Sequence, residues 1–278
     1  VHGPGGQTLG FGELAARAAK LPMPDTATLR MKAEADFRYV GQSLPIVDLE
    51  AMLAGEAVYG IDVQLPDMLY ASIERSPWLQ GKIESLESDA ALAMAGVIDV
   101  VTLEAADGAP GFNPIEGVAV LAENNWSALR GRDALKLRWS ASAHSEHSAA
   151  QYLDGLAALV ESGPGELRRQ RGNVSEALER AEQVVRATYR TPYLAHAPME
   201  PPVATARVST GSCEIWACTQ TPQATRRAVA EALGLDVDAV VVHVTLLGGG
   251  FGRKSKPDFA VEAARLSSRA GRPVQVVW

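Results

Sequence analysis

The chain has 278 residues, 47% hydrophobic and 21% charged, enough for one large or two ordinary domains with buried cores, which excludes a disordered, fibrous or coiled-coil polypeptide. Its 26 basic and 33 acidic residues give a formal charge of -7, without the basic face that nucleic acid or an anionic membrane surface would require. The two cysteines, Cys213 and Cys218, build neither a disulfide framework nor a Cys-rich metal site, and no run reaches the ~20 apolar residues of a membrane span.

Apolar and small residues at helical spacing predict a short amphipathic helix over 11–21, ended by Pro22 and Pro24. From there to about residue 36 no period is evident, and the segment reads as a linker. Between 54 and 102, short β-rich runs at 57–59, 69–73, 82–86 and 97–101 alternate with Gly and Pro punctuation around a helix-sized insert at 88–95. Residues 118–122 read as a buried strand and 124–134 as a helix with an Asn or Ser cap, so a mixed α/β unit closes near Trp139. The Ser-, Ala- and His-rich stretch 140–165 holds one predicted helix, 149–161, and ends in the boundary signal Ser162-Gly163-Pro164-Gly165.

Beyond it the pattern predicts a helix at 174–181, a strand at 183–189 and a hairpin pairing 203–208 with 213–218. A helix over 221–233 follows, with Thr221 as cap, Pro222 in first position and Gly234 as stop. A strand at 240–246, a glycine-rich loop at 248–255 and a helix at 258–270 complete the order. Residues 273–278 read as a terminal strand with no partner behind it.

The densest chemical signal is Gly248-Gly249-Gly250-Phe251-Gly252-Arg253-Lys254-Ser255, between a strand and a helix. Glycines there let backbone N–H groups approach a ligand, and such nests take anionic or oxo groups. The named nucleotide loops fail on spacing. A dinucleotide fingerprint needs glycine at 253 or 255, and a Walker loop needs glycine before Lys254, where Arg253 stands. Two weaker signals are His196-Ala197-Pro198-Met199-Glu200-Pro201, where one His beside one Glu is by itself a structural turn, and Thr219-Gln220-Thr221-Pro222, where Gln220 enters a helix.

In this order, the HAPMEP segment, the TQTP turn and the GGGFG loop resemble the large molybdenum-cofactor-binding subunit of the xanthine dehydrogenase and aldehyde oxidase family. Upstream, 55–62, 66–77 and 95–101 resemble that family's α/β hammerhead domain. Phe251-Gly252-Arg253-Lys254 with 257–264 is most similar to the isoquinoline 1-oxidoreductase β-subunit and its aldehyde-dehydrogenase relatives. The resemblance implies an α+β, mixed α/β fold: a helix and linker from an upstream region at 1–36, a hammerhead domain at 37–140, a connecting segment at 141–168, and the first part of a molybdopterin-binding domain at 169–278.

It implies further that molybdenum is held by molybdopterin, in its cytosine dinucleotide form, with no protein metal ligand. Gln220 would place its amide near an oxo group, and Gly249, Gly250, Phe251, Gly252 and Arg253 would lie against the cofactor. Ser255 stands where xanthine dehydrogenases carry a substrate-contacting Glu, which disfavours purine; His196, Met199 and Glu200 are expected to shape the fold. The implied reaction hydroxylates an N-heteroaromatic compound, or oxidises an aldehyde, with oxygen from water. Its base, a Glu, is expected beyond Trp278, so the chain reads as an internal fragment that is inactive alone. The implied partners are a [2Fe-2S] small subunit, the remainder of the large subunit and a small-molecule substrate; cytoplasm and periplasm both stay open. A non-catalytic binding or assembly module retaining the fold is the alternative, and a nucleotide-binding enzyme using Lys254-Ser255 a weaker third reading.

Overall fold

The computed structural model describes residues 1–105, 111–163 and 165–278, so Pro164 of the boundary signal lies outside the described residues. Two units divide the chain, Val1–Glu56 and Ala57–Trp278. In the first, α1 (Phe11–Ala18) carries Glu13 in its first turn, whose carboxylate accepts from Gly10 N at 2.6 Å, and α2 (Leu49–Ala54) ends at the left-handed Gly55, φ 73°. The linker expected at 22–36 holds only the single turns Thr26–Thr28 and Glu34–Asp36.

The second unit runs β1 (Leu69–Arg75), β2 (Ile83–Glu87), α3 (Asp89–Leu92), β3 (Val97–Leu103), β4 (Gly117–Ala122), α4 (Asn125–Asp133), β5 (Lys136–Trp139), α5 (Ala149–Ser162), α6 (Val174–Glu179), β6 (Val203–Ser209), β7 (Ser212–Ala217), α7 (Pro222–Leu233), β8 (Val240–Val244), α8 (Asp258–Ala270) and β9 (Val274–Val277). One sheet takes the order β3-β4-β1-β9-β6-β7-β8, and β2 pairs with β5 apart from it.

The apolar run of β4 is buried along its whole length because it has antiparallel neighbours on both edges and helices on both faces. Its alternate residues Ala119 and Leu121 join the core with Leu69, Ala71 and Ile73 of β1 and with the apolar sides of α7 and α8, including Val229, Phe259 and Leu266. The opposite face receives α4, where a Cβ on Gly131 would stand 2.8 Å from Val120 and 2.9 Å from Val97, so the helix backbone seats directly on the strand. Asn124 caps α4, its side chain accepting from Ser127 N at 2.8 Å.

Three expectations change. The terminal strand does have partners: β9 lies inside the sheet, parallel to β1 and antiparallel to β6. Residues 57–59 form no strand and contribute one isolated bridge, Tyr59 to Leu246. Residues 183–189 pair with no strand among the described residues, and Val185 and Tyr189 are exposed. In all three the local signal is a run of β-prone residues, which sets propensity but cannot name a partner.

Where the sheet meets α8, Arg75 grips Glu262 through Nε (3.1 Å) and Nη2 (2.5 Å), and Trp278 donates its indole N–H to the same carboxylate at 2.8 Å. The Trp278 ring also lies against the guanidinium groups of Arg75 and Arg253, at 4.4 and 4.6 Å from its centroid. Burial raises the Glu262 carboxyl above its ordinary range, and the Arg75 charge offsets this only in part. A carboxyl raised on folding holds its proton more tightly when folded, so its contribution falls as pH rises from the ordinary carboxylate range through the raised value. Arg75→Met strands Glu262 and is expected to cost about 3 kcal/mol at neutral pH. Urea denaturation should show a smaller loss near pH 4, where the carboxyl is protonated.

Candidate functional site

The loop after β8 is built around one buried ion pair. Lys254 Nζ donates to Glu200 Oε2 at 2.7 Å, and the two side chains are 0% and 6% exposed. Glu200 also accepts from Gly248 N (3.0 Å) and Ile61 N (3.2 Å), while its own amide donates to Gly248 O at 3.0 Å. Burial alone would raise the Glu200 carboxyl. The hydrogen bonds from Lys254, Gly248 and Ile61, together with the Lys254 charge, outweigh burial and hold it below the usual carboxylate range.

Lys254 is thus spent inside the protein, which removes it as a phosphate ligand and with it the nucleotide-binding reading. Glu200, expected only to shape the fold, organises the site. The sequence carried one signal for this, the single carboxylate of Glu200 set in an otherwise uncharged run, 191–206.

The turn before α7 is laced to this loop. Gln220 N and Thr219 Oγ1 both donate to Lys254 O, at 3.0 and 3.2 Å, and Thr221 Oγ1 donates to Ser255 O at 2.7 Å. Thr221 therefore does not cap α7 with its side chain. Gly252 N donates to Gln220 Oε1 at 3.1 Å, which fixes the amide and leaves Nε2 as the outward donor. Among the described residues, Gln220 Nε2 and the backbone N–H groups of Gly249, Gly250 and Phe251 donate to nothing.

A Cβ on Gly250 would stand 2.8 Å from Gln220 Oε1, and one on Gly248 would stand 2.5 Å from Glu200 Cβ, so both glycines are required by close approach. Arg253, expected against a cofactor, turns its guanidinium to Asp258, with contacts of 3.1 and 2.6 Å, and to the Trp278 ring. Its backbone N–H closes the turn onto Gly250 O at 2.8 Å.

Beside the loop lies a cavity of about 650 Å3 whose walls include Tyr59, Ile61, Met199 and Phe251. Two non-glycine residues with left-handed backbone, Ala197 (φ 42°) and Phe251 (φ 50°), line it. Such strain gathers where a fold holds a loop in a set shape. Phe251 and Met199 stand 72% and 96% exposed, apolar side chains with little packed against them. Tyr59 and Ile61 enter this wall from more than a hundred positions upstream, a juxtaposition absent from any local motif. Both cysteines lie elsewhere in function: burial pushes the Cys213 thiol up to about 12 and raises that of Cys218, so neither is a thiolate at neutral pH.

Gly248→Ala is expected to cost about 2–3 kcal/mol because its new methyl meets Glu200. Gly252→Ala has open space and pays only for its backbone, φ 91°, about 1–2 kcal/mol. Urea midpoints of the two variants check this order. Because the Glu200 carboxyl is lowered on folding, the stability it contributes is full above the ordinary carboxylate range and is lost as pH falls through the lowered value. Glu200→Gln should therefore cost about 3–5 kcal/mol at neutral pH and flatten the acid dependence of stability measured from pH 7 to pH 3.

Residues 54–131 match the aldehyde oxidase and xanthine dehydrogenase a/b hammerhead domain, and residues 160–278 match the molybdopterin cofactor-binding domain. The chain is 28% identical over 268 residues to isoquinoline 1-oxidoreductase subunit beta of Brevundimonas diminuta, covering 92% of this chain and 32% of that relative. It is 30% identical over 262 residues to the xanthine dehydrogenase molybdenum-binding subunit of Escherichia coli O157:H7, covering 83% of this chain and 35% of the relative. The crystal structure of quinoline 2-oxidoreductase from Pseudomonas putida 86 superposes with a TM-score of 0.61 at 22% identity, over 86% of this chain and 34% of that one, and so shares the fold. The chain spans about a third of the length of these relatives. Matched in its hammerhead and in its molybdopterin-binding stretch, and aligned with relatives across both, it belongs to the aldehyde oxidase and xanthine dehydrogenase family.

Proposed function

We propose that this chain forms the cofactor-facing part of a molybdenum hydroxylase that acts on an N-heteroaromatic ring or an aldehyde. The observation that carries the reading is the donor set of Gly249, Gly250, Phe251 and Gln220, four N–H donors without partners among the described residues, gathered on one loop and the turn laced to it. Consecutive backbone N–H groups of this kind suit an oxo-rich, anionic group such as molybdopterin and its metal. The bound cofactor would supply the two-electron oxidation that converts R–H and water to R–OH with release of two protons. In that setting the loop amides bind and orient, Gly252 N–H holds the Gln220 amide, and Gln220 Nε2 is the neutral donor that steadies negative charge on oxygen.

Gln220, Gly249, Gly250, Phe251, Gly252 and Arg253 are the proposed cofactor-binding residues, the last through its backbone and its anchoring of the turn. The same reading divides the chain into a hammerhead portion, 37–140, and a cofactor portion, 169–278, joined by 141–168, with one sheet drawing strands from both. The electron acceptor in this reading is a separate [2Fe-2S] subunit. The names of the relatives, subunits themselves, support a partner subunit. The cytosine dinucleotide form of the cofactor is part of the same proposal. Ser255, whose hydroxyl donates to Gly252 O at 2.6 Å, offers no carboxylate to a purine.

The test is molybdenum and pterin content of the intact enzyme purified with its partners; absence of both would leave a non-catalytic module. Gln220→Ala should lower turnover about a hundredfold with an unchanged urea midpoint, since Gln220 is exposed and its side chain makes a single hydrogen bond, to Gly252. Unchanged turnover would remove Gln220 from the reaction.

A further inference from the structure

The Glu200 side chain contributes no donor to the site, yet it holds both ends of the loop that does. Gly248, at the loop's start, donates its N–H to the carboxylate and accepts the Glu200 backbone N–H at its carbonyl, and Lys254, near the loop's end, donates Nζ to the carboxylate. Lys254 O in turn receives Gln220 N and Thr219 Oγ1, so the position of Lys254 is passed to the Gln220 backbone. The remaining carboxylate bond, from Ile61 N, ties the loop to the cavity wall. A buried ion pair is poor value as a stabiliser, because well-packed apolar side chains of similar volume do as well or better. Its presence here calls for a role that apolar packing cannot fill.

We propose that Glu200 is a positioning residue for the cofactor loop. Its Oε2 holds both Lys254 Nζ and Gly248 N–H, its backbone amide holds Gly248 O and its Oε1 holds Ile61 N–H, and the two anchors, at Gly248 and Lys254, together set the curvature of 249–252. That curvature places Gly252 N–H on Gln220 Oε1 and leaves the donors of 249–251 and Gln220 Nε2 facing one ligand. The proposal rests on the functional reading above for what the loop holds, but not for how the loop is held.

The experiment compares the wild-type intact enzyme with Glu200→Gln/Lys254→Met and with Glu200→Asp. The double variant removes both charges and keeps the volume; Glu200→Asp keeps the charge and withdraws it by one methylene, so that it cannot reach both anchors. Each is measured for urea midpoint, for hydrogen exchange at the Gly252 and Gln220 amides, for molybdenum and pterin content, and for kcat and KM. The expected result is a double variant as stable as wild type, in which those two amides exchange at least tenfold faster, cofactor content falls by more than half, and kcat per bound molybdenum drops with KM little changed. Glu200→Asp should show the same loosening to a smaller degree. Wild-type exchange and cofactor content in a folded double variant would overturn the proposal. If the double variant does not fold, the same result in Glu200→Asp overturns it. Wild-type enzyme devoid of molybdenum and pterin would sink the functional reading, while the exchange comparison would still decide the clamp.

Discussion

The contact between Glu200 and Lys254 joins residues 54 positions apart, and through Ile61 the same carboxylate reaches 139 positions back along the chain. Three stretches with no sequence relation become the walls and floor of one site because a carboxylate in a dry interior must find partners for every lone pair. An unpaired charge there would cost several kcal/mol, so the geometry of the pair is strict. The strictness passes to the loop, since Gly248 lies so close to Glu200 that no side chain fits between them.

The sheet explains how this contact can hold. β9 between β1 and β6 binds the early and late parts of the second unit into one ladder, and Gln275 on β9 donates its amide to Val63 O and Thr205 Oγ1 at 3.2 and 3.1 Å. The 60–63 segment is therefore fixed from both sides, by Glu200 and by Gln275. At the far end of the strand, Trp278 lies between Arg75 and Arg253, so the turn that follows the glycine loop is braced against the same core. Arg253 illustrates how position and role separate: it sits in the cofactor motif, but its guanidinium serves the fold.

Much of the second unit was legible from local pattern. The alternation and apolar runs of β1, β3, β4, β6 and β7, the Asn124 cap, and the Pro222 and Gly234 signals around α7 are short-range statements that tertiary structure did not overrule. The glycine loop was legible too, because close backbone approach is the physical use of glycine at that density. Thr221 holds the cap position of α7 as expected, but its hydroxyl donates to a carbonyl 34 positions ahead and makes no cap bond of its own. Residues 183–189 were misread as a strand because β propensity says nothing of whether a partner is at hand.

Sequence by itself singled out the glycine loop and the Gln220 turn as candidates, since glycine spacing, a Gln at a helix entrance and the failure of the nucleotide spacings are properties of residue type and local order. It also determined the family, through the order of three short motifs. Only the tertiary structure decided that Lys254 is an internal counter-charge and no ligand, that Glu200 governs the loop, that Gln220 presents Nε2, and that the terminal strand is central. Each of these depends on a partner far away in the chain, and burial and pairing are decided by what the fold brings within a few ångström, which no local pattern encodes.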